Sequence, residues 1–383
     1  MVTETAYKAA VWRGAGRDLT SPTADIFCRV IDNFGDAGVA WRLASQLALE
    51  RGFNVRVFID EPKVLAKIVP KMLTAQDPTI HEWDAASTAT PASLVLSTFC
   101  CRIHDAYVEA MRTRPRKSVW INVEYLSAEP WVETHHKLPS LRPDGLVEYF
   151  FYPGFTEKTG GVLRERNLLP PPGGEGWREG VGAAKHLNEI KMFTASIFAY
   201  ETECIHGLIA GMNDVGVPAK LVLPFGRLSE KMGLFAPQVF GSVALEPIPF
   251  TDQAGYDQLL ARCDFNIVRG EDSFVRAQWA AKPFLWHIYP QAENAHTAKL
   301  QAWLERFGQC VSTPQFRADL TCFFHAWSAG DASTVRALWP TLYARRHAWQ
   351  QACALWRARL KCQRDLTTQL IEFANKIASE LQS

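Results

Sequence analysis

Short apolar runs alternate along this chain with stretches whose apolar residues recur every three or four positions, and polar, glycine-containing turns separate the two. The first run is DIFCRVI, Asp25 to Ile31. After the turn DNFGDAG comes VAWRLASQLALERG, where Val39, Leu43 and Leu47 recur at i+4 with Ala40 and Ala44 beside them. That spacing predicts a helix closed by Gly52, and NVRVFID (Asn54 to Asp60) then reads as the next strand. Strand, glycine turn, helix and strand within about 35 residues predict a βαβ unit and a parallel sheet. SLVLSTF (Ser93 to Phe99) and KSVWINV (Lys117 to Val123) add two further strands.

From Glu157 the pattern is lost in TGGVLRERNLLPPPGGEGWREGVGAAKH, which reads as a linker over about residues 157–186. A second α/β series follows, with strands in IKMFTASIF (Ile190 to Phe198), AKLVLPF (Ala219 to Phe225), CDFNIVR (Cys263 to Arg269) and the strand-like FLWHIY. From about Ser333 the chain reads as helical. The expected architecture is α/β, with two Rossmann-like, doubly wound domains facing across a cleft. The first spans residues 25–185 and the second 187–355. Residues 356–383 form a C-terminal helix packing back on the first domain, and residues 1–24 form a disordered extension. Ligands are expected where strand carboxyl ends open onto the cleft.

Length and charge narrow the function classes. At 383 residues, two domains are the natural count. With 41 basic and 40 acidic residues the net charge of +1 gives no bulk polyanion-binding surface. No apolar run approaches the ~18 residues of a membrane span. The first 24 residues lack the apolar core of a signal peptide, and nine scattered cysteines without C-x-x-C spacing point to a reducing cytoplasm.

Glycine motifs exclude more than they support. Gly14 and Gly16 resemble the start of a dinucleotide fingerprint, but Leu occupies position 19 and no strand precedes them. No P-loop occurs. The histidines show no H-x-x-x-H spacing, and the D-x-D dyad by which many sugar-nucleotide enzymes hold a divalent ion is missing, so no metal and no cofactor are expected.

Two turns carry candidate chemistry. Asp32-Asn33-Phe34-Gly35-Asp36-Ala37-Gly38 lies between a strand and a helix, where backbone N–H groups face a ligand. Its two carboxylates either point into a cleft or cap the helix and its turn. Arg269-Gly270-Glu271-Asp272-Ser273-Phe274 sits between the strand CDFNIV and the helix VRAQWAA. There the N–H groups of Asp272 and Ser273 suit a diphosphate, Gly270 allows close backbone approach, and Arg269 supplies a planar cation. His287 and His296 read either as buried structural histidines or as site groups. The tail tryptophans Trp327, Trp339, Trp349 and Trp356 read as core or domain-bracing surface.

DIFCRVIDNFGDAGVAWRLASQLA, WINVEYLSAEPWVETHHKLPS, YFFYPGFTEKTGGVLRE and NIVRGEDSFVRAQWAAKPFLWHIYPQ closely resemble the EarP family of protein-arginine rhamnosyltransferases, which modify bacterial elongation factor P. The resemblance runs from about Asp25 into the tail. It implies a GT-B glycosyltransferase that moves L-rhamnose from dTDP-β-L-rhamnose, with inversion, to an arginine nitrogen of elongation factor P, activating that factor for translation of polyproline stretches. The N-terminal domain would receive the protein acceptor and the C-terminal domain the nucleotide sugar, with no nucleic acid or membrane partner. Residue by residue it places the general base on Asp36, a second essential acid on Glu271 and a supporting carboxylate on Asp32. Asn33, Phe34 and Gly35 fall in the same substrate turn. Diphosphate contacts fall on Arg269, Asp272 and Ser273, with Gly270 and the adjacent Phe274 matching as substrate-binding positions, and the nucleoside pocket on Phe198, Tyr200, Phe250 and Gln253. Tyr256 stands where the family often has a Phe stacked on thymine, and it keeps the stacking face. Two other readings stay open: a GT-B transferase for a different nucleotide sugar or acceptor, and a non-catalytic nucleotide-sugar or translation-factor binding module. The paired acids favour an enzyme, since a diphosphate binder gains nothing from extra negative charge beside its ligand.

Overall fold

A computed structural model describes residues 21–32, 34–69, 72–168, 192–291 and 294–381. The predicted extension up to residue 20, Asn33 and residues 169–186 of the predicted linker lie outside the described residues. The chain divides into two compact units, Met1–Asn167 with Leu360–Ser383, and Leu168–Arg359.

In the first unit, seven strands are ordered β3-β2-β1-β4-β5-β7-β6. They are β1 (Thr23–Cys28), β2 (Asn54–Ile59), β3 (Thr79–Glu82), β4 (Leu94–Thr98), β5 (Val119–Val123), β6 (Pro139–Leu141) and β7 (Val147–Phe151). All neighbours run parallel except β6 against β7. β1 starts at Thr23, slightly before the predicted Asp25, because Thr23 and Ala24 already pair with Asn54 and Val55. β1, β4 and β5 are buried almost end to end, the signature of a sheet covered on both faces. Helix α1 (Phe34–Arg51) lies on it through buried Ala37, Ala40, Ala44 and Leu47, and Gly52 ends it at φ +71°.

Of the helices that follow in this unit, α2 spans Pro62–Ile68, α3 Asp105–Thr113 and α4 Val132–His135. Phe27 and Phe58 stack at 4.9 Å in a core shared with Tyr107 and Trp120. Below them Asp25 takes a bidentate pair from Arg56 at 2.7 and 2.6 Å, with further bonds from Ala92 N–H and Tyr107 OH. This buried carboxylate has its own cation and serves the fold. The unit is completed by the C-terminal segment. Leu366 N–H bonds Val162 O at 3.1 Å, Thr367 OH reaches Gln46, and the Phe373 ring meets Tyr149 edge-on at 5.4 Å. Gly161 allows this approach: at φ +76°, a Cβ there would stand 2.3 Å from Arg364 O.

The second unit holds six strands in the order β10-β11-β9-β8-β12-β13. They are β8 (Phe193–Ile197), β9 (Ala219–Pro224), β10 (Gln238–Phe240), β11 (Val243–Ile248), β12 (Phe265–Arg269) and β13 (Phe284–His287). Only β10 runs antiparallel to its neighbour. Helices α5 (Cys204–Val215), α6 (Arg227–Lys231), α7 (Gln253–Arg262) and α8 (Asp272–Ala280) alternate with these strands. Helices then follow from Ala295, well ahead of Ser333: α9 (Ala295–Gly308), α10 (Pro314–Ser328), α11 (Ala332–Ala344), α12 (Arg346–Cys362) and α13 (Leu366–Glu380), with the division between units falling at Leu360 inside α12. The four tail tryptophans are all buried, as core. Trp303 and Trp356 both donate to Gln278 Oε1, at 3.2 and 2.8 Å, so a buried amide is satisfied by two indoles.

Candidate active site

In a doubly wound sheet, ligands bind at the carboxyl ends of strands where the strand order reverses. In the first unit that point lies between β1 and β4. The turn after β1 carries Asp32, Phe34, Gly35 and Asp36. Gly35 N–H returns to Asp32 O at 2.8 Å, and α1 begins at Phe34. Asp36 therefore sits inside the first turn of α1 rather than at its cap, and reaches backwards. Its Oδ2 accepts the N–H groups of Ile31 and Asp32, both at 2.8 Å, and its Oδ1 accepts the Tyr125 hydroxyl at 3.1 Å. At 1% exposure it is among the most buried carboxylates of the unit, while Asp32 is half-buried on the rim. The turn thus gives its two acids different settings, one buried and one partly exposed.

The second unit builds its counterpart after β12. Gly270 turns the chain at φ +64°, a conformation that side chains disfavour, and its carbonyl accepts Trp286 Nε1 at 2.9 Å. Ser273 laces the turn: its hydroxyl accepts Arg269 N–H at 3.1 Å and donates to Arg269 O. Its side chain is spent on the loop at the head of α8. Asp272, the first residue of α8, accepts Gln253 Nε2 at 3.1 Å. That bond fastens the head of α8 to the head of α7.

Arg269 is the cation of this cluster. Its guanidinium lies 4.6 Å from the Phe198 ring centre and 4.8 Å from that of Tyr200. Two aromatic faces hold the fork in one plane, suited to bidentate phosphate oxygens. The Phe198 ring meets Tyr256 at 5.6 Å and Phe250 at 6.3 Å, so these three predicted pocket aromatics form one wall. Burial pushes the Tyr256 phenol above its ordinary value, and its hydroxyl is buried while the residue as a whole is partly exposed. The ring rather than the hydroxyl is presented. Phe274 is 1% exposed and stacks on Trp286 at 3.8 Å, so its ring is a floor beneath the turn and is not open to a ligand.

Glu271 is buried beside Lys299 of α9, with Nζ 3.8 Å from Oε2. Lys299 was not anticipated from the sequence. It sits in an ordinary helical stretch, and only the packing of α9 brings it to the turn.

The two histidines take different roles. His296 accepts Gln291 N–H at Nδ1 (3.1 Å) and serves the loop. His287 stands beside Arg269 in the β12–β13 register and meets Tyr200 edge-on at 5.0 Å. Burial, and secondarily the Arg269 charge, pushes its imidazole down to about 3. His136 in the first unit is likewise pushed down to about 3, by burial and then by Lys137. Unfolded histidines take up their proton near about 6.5. Between that value and about 3 the unfolded chain binds more protons, so stability falls as pH falls through this window. Urea midpoints should decline from pH 7 to pH 5, above most carboxylate titration, and decline less in His287→Gln. A flat midpoint over this range would contradict the assignment.

Among the described residues, no group of three or more His, Cys, Asp or Glu side chains is placed to hold a metal ion, and no helix is long and apolar enough to cross a membrane.

Each unit is a Rossmann-like sheet with candidate groups at its strand carboxyl ends, and this is the GT-B fold of glycosyltransferases. A solved structure concerned with EarP-mediated arginine glycosylation of translation elongation factor EF-P shares it, with a TM-score of 0.61 and 29% identity over 92% of this chain and 99% of that one. A family model described as elongation factor P (EF-P) rhamnosyltransferase EarP matches residues 24–375. The protein-arginine rhamnosyltransferase of Pseudomonas putida is 41% identical over 92% of this chain and 98% of its own length. That of Pseudomonas aeruginosa is 38% identical over 91% and 98%. The chain belongs to the EarP family and, with it, to the protein-arginine rhamnosyltransferases.

Proposed function

We propose that the protein transfers L-rhamnose from dTDP-β-L-rhamnose to an arginine side-chain nitrogen of elongation factor P, inverting the anomeric carbon and using no metal. The observation that carries the donor half is the Arg269 guanidinium set on Phe198 and Tyr200 beside the head of α8. A planar cation and a helix N-terminus are what a leaving diphosphate needs, and they supply by hydrogen bonds what a divalent ion supplies in other transferases. The aromatic wall of Phe198, Phe250 and Tyr256 suits a thymine ring.

The acceptor poses the harder problem. A guanidinium is protonated up to a pKa above about 12, and its nitrogens are poor nucleophiles. In this reading Asp36 accepts a guanidinium hydrogen and takes the proton as the terminal nitrogen attacks the sugar from the face opposite the diphosphate. The new C–N bond forms as the bond to the diphosphate oxygen breaks, and dTDP leaves with the electron pair toward Arg269. Glu271, at the same turn as the diphosphate groups, stabilises the positive charge developing on the sugar. Asp32 supports Asp36 from the rim.

Titration calorimetry with dTDP, UDP and dTDP-β-L-rhamnose in the presence of a chelator tests the donor half. Tight binding of both thymidine ligands without metal is expected. Equal binding of UDP, or a requirement for a divalent ion, would redirect the reading to another nucleotide sugar.

A further inference from the structure

The turn after β4 is built against the usual preferences of its residues. Phe99 and Cys100 are consecutive non-glycine residues in the left-handed region, at φ +56° and +54°. Such a conformation persists only where the surroundings over-determine it. Here the end of β5 does so. Phe99 N–H bonds Val123 O at 2.9 Å, Cys100 N–H bonds Asn122 Oδ1 at 3.1 Å, and the Cys100 thiol donates to Glu124 Oε1 at 2.6 Å. The result is that the Phe99 ring lies flat on Tyr125, with centres 4.1 Å apart and planes 11° from parallel. Tyr125, in the loop after β5, donates its hydroxyl to Asp36 Oδ1.

We infer that Tyr125 is a positioning residue for Asp36, and that the strained Phe99 turn exists to hold it. The inference rests on Asp36 as the base. The two backbone N–H groups hold Oδ2 and the tyrosine hydroxyl holds Oδ1, so the hydroxyl is the third of three donors that oppose rotation of the carboxylate plane. Without the hydroxyl only the two donors on Oδ2 remain, the spread of the carboxylate about its Cβ–Cγ bond widens, and it spends less time facing the acceptor nitrogen. Stacking on Phe99 removes the ring's own freedom, so the hydroxyl arrives pre-placed. A turn needed only to connect β4 to α3 would be satisfied by glycine or asparagine at these two positions, without strain.

Tyr125→Phe removes the hydroxyl and keeps the ring and its stacking. The result expected is a fall in kcat of about tenfold, the effect of one charge-assisted hydrogen bond on a barrier. KM for acceptor and donor, dTDP affinity and the melting temperature should all stay near wild type. Phe99→Leu, which keeps the hydroxyl but removes the stacking face, should show the same split between kcat and KM. An unchanged kcat in Tyr125→Phe would overturn the inference. So would a loss confined to acceptor KM, which would make Tyr125 a contact for the protein substrate instead. Asp36→Asn assayed alongside separates the two levels. If it is inactive while Tyr125→Phe matches wild type, only the positioning role fails. If it retains turnover, the base assignment fails and this inference falls with it.

Discussion

Asp36→Asn should lower the rate of arginine rhamnosylation by about 10²–10⁴, the usual cost of removing a positioned base, while dTDP affinity stays within a few fold. The substitution is nearly isosteric, and an asparagine carbonyl can still accept the N–H groups of Ile31 and Asp32 that now hold Oδ2. What it cannot do is take a proton. The proposed donor groups Arg269, Asp272 and Ser273 belong to the other unit of the chain, so nucleotide binding gives an internal control on folding. Steady-state kinetics at saturating donor, with calorimetry on the same preparation, separates the two quantities. Retention of most of the turnover would remove Asp36 from the chemistry and leave it as a buried turn-former.

Arg269→Ala should weaken dTDP binding by about 10²-fold, since a hydrogen bond to a charged group contributes roughly 1.5–3 kcal/mol and every ~1.4 kcal/mol is tenfold. Arg269→Lys should recover little of this. Lysine keeps the charge but not the plane that Phe198 and Tyr200 hold at 4.6 and 4.8 Å, and it cannot offer two parallel N–H donors. The alanine variant should also let His287 rise from about 3, because the Arg269 charge is one cause of its depression; burial, the larger cause, remains. Binding isotherms for the three proteins check the first part, and the NMR titration of His287 checks the second. Wild-type affinity in Arg269→Lys would show that charge alone suffices and that the aromatic platform is incidental.

The strands legible in the sequence were those buried on both faces. DIFCRVI, SLVLSTF, KSVWINV and CDFNIVR are near-continuous apolar runs because helices cover the sheets they join; the last three contain the whole strand found there, and DIFCRVI overlaps β1, which starts earlier, at Thr23. The elements missed were short, half-covered or at an edge. β6 and β10 are three-residue edge strands with exposed positions, and the residues of β7 alternate too weakly to separate from a loop. The turn Arg269 to Phe274 was legible because glycine, acid, serine and a helix start are all local signals. Its internal detail was not: the Ser273 hydroxyl is spent on the backbone of Arg269, and the Phe274 ring is spent on Trp286. Lys299 and Tyr125 could not be read at all. They lie well along the chain from Glu271 and Asp36, and only the packing of α9 and the parallel pairing of β1 with β4 and of β4 with β5 bring them into contact.

Transfer of rhamnose to an arginine of elongation factor P is read straight from the intact mass of that factor. The factor is incubated with this protein and dTDP-β-L-rhamnose, with chelator present and no added metal, and the modified residue is then located by peptide fragmentation. The expected result is a gain of one deoxyhexose on a single arginine, absent when Asp36→Asn replaces the wild type. An unchanged mass, with dTDP-rhamnose still bound by the protein, would contradict it at the acceptor.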